Sequence, residues 1–473
     1  MKLNIFKITL VCLMTGSIPS YLGAQKKASQ ITGEKNSPKA PNACNILFKN
    51  EGMVANDGLW LTRKRFGFEI TPKIGGLKIY KGYIFVSWYQ GGMNNRSVWL
   101  SRKKIDGKEW KHIQFPHRHV LFRGDKALPE NKKRGDSHNN IAIGICPKDD
   151  TLHLLYDMHA YQPKDFKNDY FNYRYTRKGG AIVPDNEWNI GLFSPKQNYL
   201  NKNVFKKKPK TYYRVTYPGF FTTKDGDLIA KWRIGGHTAA NMYLTKYNGS
   251  KWSKSYVWND TKGKNTVGFY GVFNIFNDRM YACWHRRSVA DHKLGYINNR
   301  GLYLAYCQDE TGLTPWYTAI GKKVGFPLSD LDPFKIADPS KPGQKMSKIP
   351  SFVITKSGAF HARVNIDNKI NKHYYRLKPT DKLKVAYGIP LGDMYSNGKK
   401  VFIIGLENGR PVIKSAIEGT NNWQTEFKIT TGKVYSHGIS AFANNTFYLY
   451  LMERKPFKQD CRPIYVLSFK LNK

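Results

Sequence analysis

The chain has 473 residues, 41% of them hydrophobic and 14% aromatic, which is enough apolar material for one large core or two ordinary ones. Lys and Arg total 77 against 34 Asp and Glu, a formal charge of +43, and such a surplus points to a negatively charged partner. No segment is both long and apolar enough for the roughly 20 residues of a membrane span, so an integral membrane helix is excluded.

Residues 1–24 read as a secretory signal. Lys2 and Lys7 flank a basic start, Ile8 to Met14 form a short apolar run, and Gly23-Ala24 supply the small residues at which cleavage is expected after Ala24. Secreted or periplasmic placement follows, and it moves the expected partner from nucleic acid to an anionic polysaccharide. Residues 25–42, rich in Lys, Ser, Pro, Gly and Asn, read as a flexible leader, and residues 43–473 as one domain, expected to be a monomer. Once Cys12 leaves with the signal, Cys44, Cys146, Cys283, Cys307 and Cys461 remain. An odd number rules out a complete disulfide framework and leaves room for a metal, while Cys44 and Cys461, near the two ends, are candidates for a bridge that clamps a ring.

From Ala43 onward, short runs of β-branched and aromatic residues alternate with Gly, Asn and Asp, which is the pattern of an all-β protein. One strand type recurs seven times: Tyr83 to Trp88, Leu152 to Tyr156, Leu228 to Trp232, Met280 to Trp284, Ala359 to Arg363, Val401 to Gly405 and Phe447 to Leu451. Several repeats continue into a second strand and a turn ending in Trp110, Trp252, Trp316 or Trp423, and the fifth is the least regular. Repetition of this kind predicts a seven-bladed β-propeller, with a pair of packed β-sandwiches as the alternative. In a propeller the ligand site is expected over the central channel, where loops from several blades converge.

Two histidines, a tyrosine and an arginine stand out along the chain. His138 lies in the polar turn Gly135-Asp136-Ser137-His138-Asn139-Asn140, ahead of an apolar strand, and His159 lies just beyond the strand that starts at Leu152, so antiparallel neighbours are expected to bring both imidazoles to one rim. Tyr217 stands before Pro218-Gly219, and Arg233 follows in Lys231-Trp232-Arg233-Ile234-Gly235-Gly236-His237. With Cys283-Trp284-His285 further on, this order resembles the ulvan lyases over most of residues 45 to 470. The resemblance implies a propeller that cleaves a sulfated, uronate-containing polysaccharide by β-elimination. That reaction removes the C5 proton beside the uronate carboxylate and expels the C4 oxygen. It needs a group to neutralise the carboxylate, which suits Arg233 with help from His159, a base, which suits His138, and an acid, which suits Tyr217. Asn139, Asn140, Tyr270, Arg286 and Arg287 are the candidates for holding sugar and anionic groups, and the lysines of Phe205-Lys206-Lys207-Lys208-Pro209-Lys210 are placed where such groups pass. A lone histidine in a turn is more often structural than catalytic, so a propeller hydrolase or a non-catalytic glycan-binding propeller remain the alternatives.

His237, Cys283, His285 and Cys307 form a second set. Cys283 and His285 are two apart on a strand, hence on one face, and two thiolates with two imidazoles suit tetrahedral zinc. The resemblance also implies a structural zinc. A Cys283 to Cys307 disulfide or two buried thiols are the other readings.

Overall fold

Short apolar runs broken by Asn, Asp and Gly make strands joined by tight hairpins, and here that local rule closes a ring. The computed structural model describes residues 46–263, 266–454 and 460–472. It contains seven antiparallel sheets arranged as a seven-bladed β-propeller, which removes the sandwich alternative. The expected signal segment, the leader, the domain start at residue 43 and Cys44 lie outside the described residues. No helix among the described residues is long and apolar enough to cross a membrane.

Blade one spans Leu77–Tyr80 to Lys111–Arg118, blade two Ile141–Cys146 to Asn172–Tyr175, blade three Val215–Thr222 to Tyr256–Val257 and blade four Gly268–Phe276 to Lys335–Ala337. Blade five spans Ser351–Ile354 to Lys384–Tyr387 and blade six Asp393–Ser396 to Gln424–Lys428. Blade seven holds Tyr435–Ala443, Thr446–Glu453 and Cys461–Leu471, with Ile46–Leu59 added as its outermost strand. Each of the seven recurring runs is the second strand of its blade. Those strands are covered on both faces by neighbouring blades, which is why Thr151–Tyr156 is buried at every position and reads as an almost continuous apolar run. The fifth repeat, irregular in sequence, folds into a full four-stranded blade.

Turn chemistry agrees with this. Lys81-Gly82, Asn277-Asp278, Asn408-Gly409 and Asn444-Asn445 are two-residue hairpin loops with both φ angles positive, the geometry that matches strand twist and favours Asn, Asp and Gly. Three of the four recurrent tryptophans open fourth strands: Trp316 begins Trp316–Thr318, and Trp110 and Trp423 immediately precede Lys111–Arg118 and Gln424–Lys428, whereas Trp252 forms an isolated bridge with Tyr247 ahead of Tyr256–Val257. Between blades three and four, Trp258 is fully buried and meets Phe269, Phe273, Trp284 and Trp316 edge-on, with centroids 5.1 to 5.5 Å away. The segment Phe326 to Lys348 also packs here. It drives Phe334 into the same core, and its strand Lys335–Ala337 pairs with Arg300–Cys307.

The ring closes through sequence-distant strands. Ile46–Leu59 pairs antiparallel with Cys461–Leu471, and buried Glu51 accepts hydrogen bonds from Lys103 Nζ of blade one (2.7 Å) and Ser468 Oγ of blade seven (2.7 Å). The central channel encloses about 1230 Å³ and is lined by inner-strand residues such as Leu77, Val272, Phe352, Tyr395 and His437.

Candidate active site

Four side chains far apart in sequence come together at the edge of blades two, three and four. The loop entering blade two makes a tight turn in which the Asp136 carboxylate accepts the backbone N–H of His138 (3.0 Å). That carboxylate, fully buried, also lies 3.2 Å from His138 Nδ1 through one oxygen and 2.6 Å from His159 Nδ1 through the other. The two imidazoles stack, with centroids 4.4 Å apart and planes 16° from parallel. Both therefore direct a protonated Nδ1 toward Asp136 and turn Nε2 away from it. Among the described residues, Asp136, His138 and His159 are the one group of potential metal ligands gathered within 4.8 Å of one another.

His159 is held by backbone pairing to blade three: it bridges Thr216, and the Ala160 N–H donates to the Val215 carbonyl (2.8 Å). Next to that bridge the inner strand of blade three bulges. Thr216 opposes Arg233 and Gly219 opposes Lys231, so Tyr217 and Pro218 together face Trp232. Tyr217 takes the left-handed conformation (φ 53°) at this bulge, and Pro218 is tolerated because a bulge needs no ladder N–H from it. The result sets the Tyr217 ring 5.6 Å from that of His138 and 5.0 Å from the Arg233 guanidinium, centroid to centre.

Arg233 is 5% exposed and lies between the rings of Tyr217 and Tyr270 (4.9 Å). Its only hydrogen bond among the described residues runs from Nη1 to the Phe269 carbonyl (3.4 Å), its Nε has no partner, and no described carboxylate pairs with it. Arg287 covers Tyr270 on another side at 4.3 Å. The Tyr270 hydroxyl donates to the His237 carbonyl (3.1 Å), which joins the His237 backbone to the site.

Burial dominates the protonation of this cluster. It lowers His138 to about 4 against the opposing pull of Asp136, with the neighbouring His159 charge adding to the fall. Burial raises Tyr217 to about 12, partly offset by Arg233. Asp136 behaves in the opposite sense to its burial: hydrogen bonds from both imidazoles hold it well below the ordinary carboxylate range. At neutral pH the site thus holds a neutral His138 imidazole, a protonated phenol and an arginine, which together can take a proton, give a proton and bind a carboxylate.

Sequence-based expectation and structure differ at several residues. Asn139 and Asn140 are turned inward. Asn139 is buried and donates to the Val120 carbonyl (3.2 Å) and the Tyr161 hydroxyl (3.0 Å). Asn140 is buried too and donates to the Pro218 carbonyl (3.0 Å), tying blade two to the Tyr217 bulge. Arg286 points away from its neighbour Arg287, as strand alternation requires, and pairs with Asp291 and Asp332. Lys206, Lys207, Lys208 and Lys210 are exposed around the short helix Lys202–Lys207.

The zinc set is not assembled. Cys283 pairs with Leu304, so Cys307, three residues further along that strand, belongs to the opposite face. It packs with Trp258 and Trp316, and its Sγ lies 2.9 Å from Thr314 Oγ1, whereas Cys283 packs with Leu302 and Leu304. His285 donates from Nδ1 to the Gly301 carbonyl (2.7 Å), and His237 is exposed. These four residues do not fit one tetrahedral centre.

Three contributors escaped the sequence reading. Asp136 bridges the histidines, and its position two residues before His138 was a usable signal for a side-chain turn. Lys231 shares a strand face with Arg233, donates to the Tyr217 carbonyl (3.2 Å) and is lowered to about 8 by burial and then by Arg233. Phe66 edges against His138 at 4.2 Å and His159 at 5.2 Å from a segment outside the blades, and nothing in its local sequence marks it.

Fold and site together define a β-propeller that gathers an imidazole pair, a phenol and a buried arginine at one rim. The chain belongs to the BNR repeat-containing family, whose model matches residues 83–385. It is 30% identical over 445 residues to an ulvan lyase, long isoform, from Alteromonas sp, covering 86% of this chain and 44% of that protein. It is 29% identical over 432 residues to an ulvan lyase, short isoform, from Alteromonas sp. (strain LOR), covering 82% and 80%. The chain thus spans less than half the length of the long isoform. The crystal structure of polysaccharide lyase Uly1 superimposes with a TM-score of 0.79 at 27% identity, covering 91% of this chain and all of that one. The resemblance to ulvan lyases therefore holds over most of the sequence.

Proposed function

We propose that this protein is an exported polysaccharide lyase that cleaves a sulfated, uronate-containing polysaccharide, ulvan first, by β-elimination. The observation that carries the reading is Arg233: a guanidinium buried between two aromatic rings, with no acidic partner among the described residues, is a socket for a carboxylate. A uronate seated there has its charge offset, and the enolate that forms on loss of the C5 proton is stabilised at the same place. His138 Nε2, neutral at working pH because burial lowers the ring to about 4, takes that proton, and His159 supports the carboxylate end. Tyr217, protonated because burial raises it to about 12, gives its proton to the departing C4 oxygen. Arg287 and Tyr270 extend the cationic and aromatic wall toward the next sugar. Relatives named as ulvan lyases support the substrate class, and the Uly1 polysaccharide lyase supports the type of reaction.

Elimination leaves an unsaturated uronate that absorbs in the ultraviolet, so the test is absorbance during digestion of ulvan by the exported, mature protein. Wild type is expected to generate the chromophore. His138→Ala and Tyr217→Phe are each expected to lose about 10²- to 10⁴-fold in rate with polymer binding retained. Arg233→Ala is expected to lose both binding and turnover. Polymer shortening without absorbance would make the protein a hydrolase and remove these roles.

A further inference from the structure

Behind the groove histidines stands a second carboxylate with the same pattern of partners. Buried Asp157, just past the strand Thr151–Tyr156, receives His119 Nδ1 on one oxygen (3.0 Å) and His117 Nε2 on the other (2.7 Å), together with the Val120 N–H (2.7 Å). Asp136 likewise takes one backbone N–H and two imidazole nitrogens. The two centres are joined by one bond: the Asp136 backbone N–H donates to His119 Nε2 (3.2 Å). That bond settles a tautomer. An imidazole that accepts at Nε2 and is neutral must hold its proton on Nδ1, where the Asp157 carboxylate receives it.

We propose that Asp157, which does not reach the groove, is a positioning residue for the reaction: through the fixed tautomer of His119 it holds the turn at Asp136, and through Asp136 it keeps the proton of His138 and His159 on Nδ1 and their Nε2 aimed outward. This rests on the lyase reading of the site. The chain of bonds alternates without a conflict from Asp157 to His119, from His119 to the Asp136 backbone, and from the Asp136 carboxylate to both groove imidazoles. Reversing His119 would set two N–H groups against each other at Asp136 and free the turn that carries His138. The charged and titratable groups facing these residues include Lys73 and Tyr217 at His138, Asp169 (3.6 Å) and Tyr156 (ring centroids 5.0 Å) at His117, and Tyr89, Arg96 and Tyr161 around Asp157. None offers His119 Nδ1 another carboxylate.

Asp157→Asn keeps the shape but turns one acceptor into an amide donor, so His117 and His119 cannot both donate to it. Histidine ring nitrogen shifts, read by nuclear magnetic resonance on the mature protein without substrate, are expected to show Nδ1–H at His119, His138 and His159 in wild type, and a mixture at His138 and His159 in Asp157→Asn. The rate of absorbance increase on ulvan is expected to fall about 10- to 100-fold, in kcat rather than KM. His119→Gln, which retains one donor and one acceptor, is expected to keep the wild-type tautomers and a near wild-type rate, and His119→Leu to behave like Asp157→Asn. A folded Asp157→Asn protein with wild-type tautomers and kcat overturns the proposal, as does an Nε2–H tautomer at His119 in wild type. If Asp157→Asn does not fold, the wild-type spectrum and the contrast between His119→Gln and His119→Leu decide. Because the tautomers are read without turnover, failure of wild type to make any chromophore would sink the lyase reading separately from the relay.

Discussion

Two effects oppose each other on the His138 imidazole. Burial among Phe66, His159 and Tyr217 penalises the charged ring, while the Asp136 carboxylate favours it, and burial wins, leaving the group near 4. The sign matters for catalysis. A base works only when deprotonated, so kcat/KM should stay level through neutral pH and fall as the pH drops toward about 4, well below the ordinary histidine value of about 6.5. A pH profile of chromophore formation, extrapolated to low substrate, checks this. An acid limb near 6.5 would assign the base to a more exposed group. His138, His159, Tyr217 and Arg233 were legible because each residue type has a chemical reason to be there and their order along the chain is distinctive. Asn139, Asn140 and Arg286 were misjudged because sequence adjacency to a functional residue says nothing about which way a side chain turns. Alternate residues of a strand face opposite sides, and Asn139 and Asn140 are spent on holding the turn.

At the level of the element, every second strand announced itself, since burial on both faces leaves a nearly unbroken apolar run. The inner strands, which face the channel, and the bulge at Tyr217 had no such signal, because a bulge is a property of pairing between strands. Blade five shows what else hides inside a strand pair. The Gly419 N–H donates to His361 Nε2 (2.8 Å), His361 Nδ1 lies 3.0 Å from His373 Nε2, and His373 Nδ1 lies 2.7 Å from Asn421 Oδ1. One neutral tautomer of each ring satisfies all four nitrogens, and a proton on either ring breaks the sequence. Burial lowers His361 to about 3, helped by repulsion from His373, and lowers His373 to about 4. A depressed histidine means that the unfolded chain binds protons more readily than the folded one. Stability from this pair is therefore complete above about pH 6.5 and is lost as the pH falls from there toward 4. Thermal unfolding followed from pH 8 to 4 is expected to show that decline, and His361→Gln with His373→Gln should flatten it. An unchanged pH slope in the double variant would show that other groups govern acid stability.

The whole ring depends on a closure between its two ends. Glu51 and Lys103 are both buried, so removing the carboxylate alone strands an ammonium away from water. Glu51→Ala is expected to cost about 3–5 kcal/mol in chemical denaturation, and Glu51→Ala with Lys103→Met to regain much of it. Charge is the other property of the whole. With 77 basic against 34 acidic side chains, the field around the propeller is cationic on the scale of the molecule, whereas Arg233, Arg287, Lys231 and Lys73 act within the site. Long-range attraction of a polyanion is screened beyond about 10 Å at 0.1 M salt, but the bond between a buried guanidinium and a carboxylate is screened much less. The two contributions separate in a salt series. Affinity for the sulfated polymer is expected to drop steeply as salt rises, chiefly through slower association, while kcat at saturating substrate holds nearly constant. Arg233→Ala should lower affinity by a similar factor at every salt concentration and leave the salt slope intact, whereas replacing Lys206, Lys207, Lys208 and Lys210 together should flatten the slope and leave kcat untouched. Binding that is indifferent to salt in wild type would mean that the surplus charge serves something other than capture of the polymer.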